Sequence, residues 1–445
     1  MKRPALAAPG IPWQRGVAWL LFLGPFFFLS YGFANSMAAR WQVGTAVVYD
    51  WERHIPFLPW TILPYWSIDL FYGLSFLLCR NTQQVDRHAL RLLTAQLVSV
   101  ACFLLFPLHF SFERPATDGL FGHLFDALAG FDKPYNQAPS LHIGLLVILW
   151  VRFAGASRGW LRLGVDAWAA LIAVSVLTTY QHHFIDIPTG ALVGLLCLWL
   201  WPEAGPTPFA HAHFSRSPAR RRLAGLYLLA ALTAGGLGLY LGRAGLGPIW
   251  LGIALALVAL NYAFLGPAGF QKRDGRHSLG AALLLAPYTL AAWLNSRLWT
   301  RGHPDPDPIV DGVWLGRLPD AASMEAGGFK ALLDLTAELP APRGNWRYAG
   351  LPWLDLVPPD TAQLEQAAAR IDALRQHGPL LVCCALGYSR SACAVAAWLI
   401  GSGRAASVDE ALALLQRARP QVVLGPAHRE ALARLSPPPE TVGGA

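Results

Sequence analysis

The chain has 445 residues, of which 54% are hydrophobic and 14% charged, with 18 Trp and a mean hydropathy of +0.37. That balance excludes a wholly solvated protein and divides the chain into a long apolar part and a mixed C-terminal part. The net charge of +8 comes largely from short loops between apolar segments, so it points to membrane topology and lipid headgroups rather than to nucleic acid.

Apolar runs of roughly 20 residues, enough to cross a bilayer, recur from Val17 to Trp299. About nine hydrophobic segments are predicted: Val17 to Met37, Thr61 to Cys79, Leu92 to Phe110, Leu141 to Phe153, Leu161 to Tyr180, Ile185 to Trp201, Leu223 to Gly242, Pro248 to Leu265 and Ser278 to Ser296. The fourth is short and the ninth carries Pro287 at its middle. Lys2 and Arg3 precede a first run that is long and lacks a small-residue cleavage site, which reads as a retained anchor. Loops carrying Arg15, Arg80, Arg158, Arg216, Arg220 to Arg222 and Lys272 to Arg276 fall on one side of the membrane. Arg40, Arg53, Arg114, Lys133 and Arg243 fall on the other. The first side is therefore cytoplasmic. The expected location is a bacterial inner (plasma) membrane, in multi-pass form.

Three polar islands interrupt this pattern: FERP (Phe112 to Pro115), YNQAPSLH (Tyr135 to His142) and QHHFID (Gln181 to Asp186). All fall opposite the basic loops, and ionisable groups at helix ends are costly against lipid, so their convergence predicts a shared aqueous site. Arg114 can hold phosphate oxygens bidentately and Ser140 can donate its hydroxyl. His182 can attack phosphorus through an imidazole nitrogen, Asp186 can orient that ring, and His142 can protonate the leaving alkoxide. This set resembles the type 2 phosphatidic acid phosphatase superfamily, in the branch that includes inositol phosphorylceramide and sphingomyelin synthases. The resemblance covers residues 61–201 and implies a phosphohistidine formed on His182 at the outer face, without a metal. It departs from the family pattern at Pro107, Ser175, Val176 and His183. Residues 1–60 are then an N-terminal span and interfacial segment, and 202–299 additional membrane helices.

After Trp299 the composition changes. Alternating Pro and Asp in TRGHPDPDPIVD (Thr300 to Asp311) resist regular structure, so 300–308 reads as a linker. Residues 309–435 read as one α/β domain and 436–445 as a disordered tail. Strands are predicted at Ile309 to Leu315, Ala331 to Leu335, Trp346 to Leu354 and Leu380 to Cys383. Helices are predicted at Leu364 to Leu374, from Ser391, at Val408 to Arg417 and at Ala427 to Leu435.

Between the last strand and the next helix runs CALGYSRS, Cys384 to Ser391. A cysteine followed at the sixth position by arginine builds a phosphate cradle there, because loop amides point inward and the helix N-terminus adds positive potential. Cys384 is the candidate nucleophile, with Arg390 forking onto two phosphate oxygens. Gly387 lets the backbone turn, and Ser391 eases departure of the thiolate. Asp355, in PWLDLVPPD, is the candidate general acid. Ala385, Leu386, Tyr388 and Ser389 complete the cradle with neutral side chains. Residues 309–435 resemble the dual-specificity branch of the protein tyrosine phosphatases, and DGVWLGRLPD and RARPQVV are in keeping with it. The family's histidine before the nucleophile is Cys383 here. Cys383 and Cys393 are candidate resolving thiols for an oxidised Cys384.

The sequence as a whole reads as a bifunctional membrane phosphatase with no cofactor. Its partners are membrane lipids, and its substrates a lipid phosphate, a phosphoprotein or both. Two alternatives stay open: a phosphatase anchored by a non-catalytic membrane part, and a lipid phosphotransferase. The face carrying the C-terminal domain also stays open. Nine crossings put it outside, whereas a ninth segment broken at Pro287 returns it to the cytoplasm, which suits a thiolate enzyme.

Overall fold

The computed structural model describes residues 12–435; the tail read from Ser436, and Lys2 and Arg3, lie outside them. The described residues gather into two compact units. One runs to Phe209 and takes in Leu237–Gly247; the other is Ala210–Gly236 with the chain from Pro248 onward.

The first unit is helical: α1 (Pro12–Arg40), α2 (Ile62–Ser75), α3 (Thr82–Leu105), α4 (Gly119–Phe131), α5 (Leu141–Ala156), α6 (Gly159–Thr178) and α7 (Asp186–Leu200). Asn81 caps α3 by accepting from the Gln84 amide, and Ser140 caps α5 by accepting from Ile143. Small residues let α5 and α7 approach closely. A Cβ on Gly190 would lie 2.4 Å from the Ser140 carbonyl oxygen, and one on Gly194 2.7 Å from that of Gly144. This crossing brings the start of α5 against the start of α7, and the Ser140 amide donates to the Asp186 carbonyl at 3.1 Å. At the other end Glu203 receives the buried Arg91 and Arg152, each at 3.1 Å.

The second unit holds most of α8 (Pro218–Tyr240) and α9 (Leu246–Leu260), followed by turns over Asn261–Leu265 and Gly266–Phe270. A two-stranded hairpin, β1 (Lys272–Arg273) with β2 (Arg276–His277), leads to α10 (Leu279–Leu284) and α11 (Ala286–Trp299). Its globular part has strands β3 (Asp307–Val310), β4 (Val313–Arg317), β5 (Ala331–Thr336), β6 (Arg347–Trp353) and β7 (Leu380–Cys384), in the order β3-β4-β7-β5-β6. Only β3 runs antiparallel to its neighbour. The helices are α12 (Ala321–Ala326), α13 (Thr361–Arg375), α14 (Arg390–Gly401), α15 (Val408–Ala418) and α16 (Pro426–Ala433).

Central β7 is buried on both faces, as its unbroken LLVCC requires. Strand alternation sends Val382 and Cys384 into the core with α13 and α14. Leu381 and Cys383 go to the opposite face with Met324 and Phe329, where Ala292 of α11 also packs.

All nine predicted segments are helical, but six helices among the described residues are long and apolar enough to cross a membrane. Helices α5 and α7 have 16 and 15 residues, and the ninth segment breaks at Leu285 into α10 and α11. The strand predicted at Ile309 to Leu315 is instead a hairpin. Asp311 and Gly312 take φ of 51° and 77°, a left-handed pair that turns the chain back on itself. Of the predicted linker 300–308, residues 300–306 have neither helix nor strand, but Asp307 and Pro308 open β3, and Arg419 ties the two parts down by donating to the Asp305 carbonyl at 2.9 Å and pairing with Asp307 at 2.8 Å.

Candidate active sites

In the first unit, Nδ1 of His182 lies 3.1 Å from Asp186 Oδ2, and its Nε2 lies 3.1 Å from Ser140 Oγ. Asp186 Oδ2 also accepts the His183 amide at 3.0 Å. All three side chains are buried. The contact with Asp186 fixes the orientation of the imidazole and turns Nε2 toward the Ser140 hydroxyl. His182 and His142 line one cavity of about 280 Å3 together with Tyr65, Trp66, Phe131 and two carboxylates, Asp69 and Asp132. The His142 ring stacks on Tyr65 at 4.2 Å, and its Nε2 has no protein partner.

Arg114 does not join this group. Its guanidinium covers the face of Phe125 at 4.7 Å, and it is not part of the cavity lining. His183 is a brace: Nδ1 meets Glu52 Oε2 at 2.9 Å, and Nε2 receives the Ser111 amide at 3.2 Å. Glu52 in turn accepts the Tyr49 and Phe184 amides. Neither Glu52 nor Asp132 belongs to the polar islands, so the sequence carried no signal for them.

In the second unit, Cys384 ends β7 and Arg390 begins α14, so the loop between them sits at the carboxyl edge of the central strand. The sulfur accepts from the Gly387 amide and from Ser391 Oγ, both at 3.2 Å, an arrangement suited to a thiolate. Gly387 has φ of +75°, and a Cβ there would meet the Gly316 carbonyl carbon at 2.4 Å. The position admits only glycine, for both reasons.

Arg390 is held through both terminal nitrogens of its guanidinium. It forks onto Glu338 at 2.9 and 2.6 Å, donates to the Trp353 carbonyl at 3.0 Å, and lies 3.1 Å from Asp355 Oδ1. The guanidinium has five N–H donors. Glu338 and Trp353 take three, which leaves Nε–H and the Nη2–H now beside Asp355 for a phosphate. Burial works against the Glu338 carboxylate, but Arg390 outweighs it and holds the group ionised, below the usual range. Asp355 moves the other way. Burial raises its pKa, Arg390 opposes the rise and the Glu338 charge adds to it.

The rest of the loop is held from outside. Tyr388 O accepts the Val423 amide at 3.0 Å, Ser389 Oγ lies 3.4 Å from His428, and Leu386 O accepts from Arg419 at 3.4 Å. The Ala385 carbonyl accepts from Ser296. Glu338 and Arg419 were not singled out in the sequence as site residues. Cys383 cannot serve as a resolving thiol in this arrangement, because it lies on the opposite face of the sheet from Cys384. Burial, then the charge of Asp334, raises its pKa well above the thiol range. Among the described residues no group of three or more His, Cys, Asp or Glu side chains could hold a metal ion.

Residues 313–436 match the family model for the dual specificity phosphatase catalytic domain. Among solved structures, Tk-PTP in its active form is 27% identical, with 29% of this chain and 95% of that chain covered and a TM-score of 0.27. Human DUSP28 is 23% identical, covering 28% and 92% with a TM-score of 0.26. PTPMT1 in complex with PI(5)P is 20% identical, covering 29% and 92% with a TM-score of 0.27. No curated protein matches the chain. The C-terminal domain is thus of the dual-specificity phosphatase type, a hydrolase of phosphate esters.

Proposed function

We propose that the protein is a bifunctional membrane phosphatase that forms a phosphocysteine at Cys384 and a phosphohistidine at His182. The thiol half rests above all on the convergence of two donors on the Cys384 sulfur beside the Arg390–Asp355 pair. The thiolate attacks phosphorus, and the ester oxygen leaves with a proton from Asp355. Arg390 exchanges Asp355 for a phosphate oxygen as charge builds in the transition state. Water, deprotonated by Asp355, then cleaves the phosphorus–sulfur bond and releases phosphate.

The histidine half draws support from the Ser140–His182–Asp186 chain and from the unpartnered Nε2 of His142, which fits the role of proton donor to a leaving alkoxide. The anchor reading draws on a different observation, the position of Arg114 over Phe125. Under the bifunctional reading that side chain swings to the phosphate on binding.

The proposal places the thiol domain on the cytoplasmic side. Both ends of the ninth segment are bonded to the globular part: His277 Nε2 to the Ala337 carbonyl at 3.0 Å, and Arg297 to the Leu318 carbonyl at 3.0 Å. A crossing helix would carry its ends about 30 Å apart, on opposite sides of the bilayer. Eight crossings remain and return the chain to the side of the basic loops. The test of the thiol half is turnover of p-nitrophenyl phosphate by the purified full-length protein. It should vanish in Cys384→Ser; turnover that persists in that variant overturns this half.

A further inference from the structure

We infer that the thiol site takes a singly phosphorylated lipid still seated in the membrane, in preference to a phosphoprotein. This deepens, and rests on, the reading of Cys384 as the phosphate-attacking thiolate. Three loops enclose the site: residues 336–341 with Glu338, 353–358 with Asp355, and 384–391. Each is bonded to the stretch that precedes the domain, the first to the polar β1–β2 hairpin and the other two to the apolar segments on either side of it. Lys272 Nζ, nearly inaccessible, reaches Asp334 at 2.6 Å and the Thr336 carbonyl at 2.9 Å. The Ala341 amide donates to the Gly275 carbonyl at 2.9 Å. The Tyr262 hydroxyl donates to the Asp355 carbonyl at 2.9 Å, and Ser296 Oγ donates to the Ala385 carbonyl.

These contacts fix the depth of the site. Tyr262 belongs to the membrane-length stretch Gly242–Phe270, and its carbonyl accepts Arg220 Nε at 3.0 Å. Arg220 opens the basic run RRR at the start of α8, the level at which lipid phosphates lie. The general-acid residue is therefore tied, through one tyrosine, to the headgroup layer.

Three exposed apolar side chains stand beside the site. Leu356, next to Asp355, is 67% exposed with φ of +57°, and Val423, whose amide holds Tyr388, is 67% exposed. Trp299, whose carbonyl lies 3.4 Å from the Tyr388 hydroxyl, is 71% exposed. Side chains of this kind gain by contact with acyl chains, because their apolar surface leaves water. Between Cys384 and Arg390 the loop has no charged side chain, which fits one phosphate. The ester oxygen leaves as the lipid alcohol with the proton from Asp355, and water completes the cycle to free phosphate.

The test measures the Cys384-dependent rate, wild type minus Cys384→Ser, for the full-length protein in permeabilised phosphatidylcholine vesicles. Three probes are used: phosphatidic acid or a monophosphoinositide in the vesicle, a phosphotyrosyl peptide, and p-nitrophenyl phosphate. At least one lipid should be hydrolysed about tenfold or more faster than the peptide, a preference worth about 1.4 kcal/mol. Leu356→Asp and Val423→Asp should each lower the ratio of lipid to aryl phosphate turnover several-fold. A peptide rate equal to or above both lipid rates overturns the inference, as does an unmoved ratio in both rim variants. Aryl phosphate turnover that does not depend on Cys384 sinks the thiolate reading itself, and the inference with it.

Discussion

Asp355 carries the sharpest consequence at the scale of single residues. Its pKa is raised, by burial first, with Arg390 opposing and Glu338 adding, and under the proposed mechanism the protonated form donates to the leaving group. Activity at the thiol site should therefore fall as pH rises through this pKa. The alkaline limb of a kcat profile measured with p-nitrophenyl phosphate belongs to Asp355. Asp355→Asn should lower kcat by roughly 10²–10⁴-fold and flatten that limb; an unchanged limb would assign the acid elsewhere. Cys384, Arg390 and Ser391 were legible because their spacing is local and a phosphate loop needs them in one turn of chain. Glu338, 52 residues from Arg390, and Glu52, 131 residues from His183, were not. A buried cation or imidazole demands a partner, but nothing local says which acidic residue supplies it.

At the scale of elements, the loop between β7 and α14 depends on one backbone position. Gly387→Ala would force a side chain into a left-handed conformation, at a cost of about 1–2 kcal/mol, and into the Gly316 backbone as well. The expected result is loss of nearly all aryl phosphate turnover with a lowered Tm, followed by kinetics and thermal unfolding. A wild-type rate in this variant would contradict the geometry of the cradle. Apolar run length made the helical segments readable, whereas α4 (Gly119–Phe131) went unread because it lies between two polar islands. The β3–β4 hairpin was missed for a related reason: Asp311-Gly312 sits inside an apolar alternation that reads as one strand unless the turn pair is weighed first. Alternation along β7 also takes Cys383 away from Cys384, since the two are adjacent in sequence yet face opposite layers, while Cys393 shares the core on the Cys384 side.

For the whole molecule, positive-inside bias and segment count left the face of the thiol domain undecided. The cytoplasmic placement proposed above rests on packing: Ala292 of α11 packs on the sheet face opposite α14. No hydropathy pattern separates a short crossing helix from one that covers a sheet. The central claim is two nucleophiles in one chain, each forming its own covalent phosphoenzyme. Rapid quenching of the full-length protein during turnover of a labelled lipid phosphate and a labelled aryl phosphate, followed by peptide mapping, tests it most directly. The account predicts phosphate on His182 and on Cys384, with His182→Ala losing the first adduct and Cys384→Ser the second. A single adduct in the wild type, or loss of both from either substitution in folded protein, would contradict it.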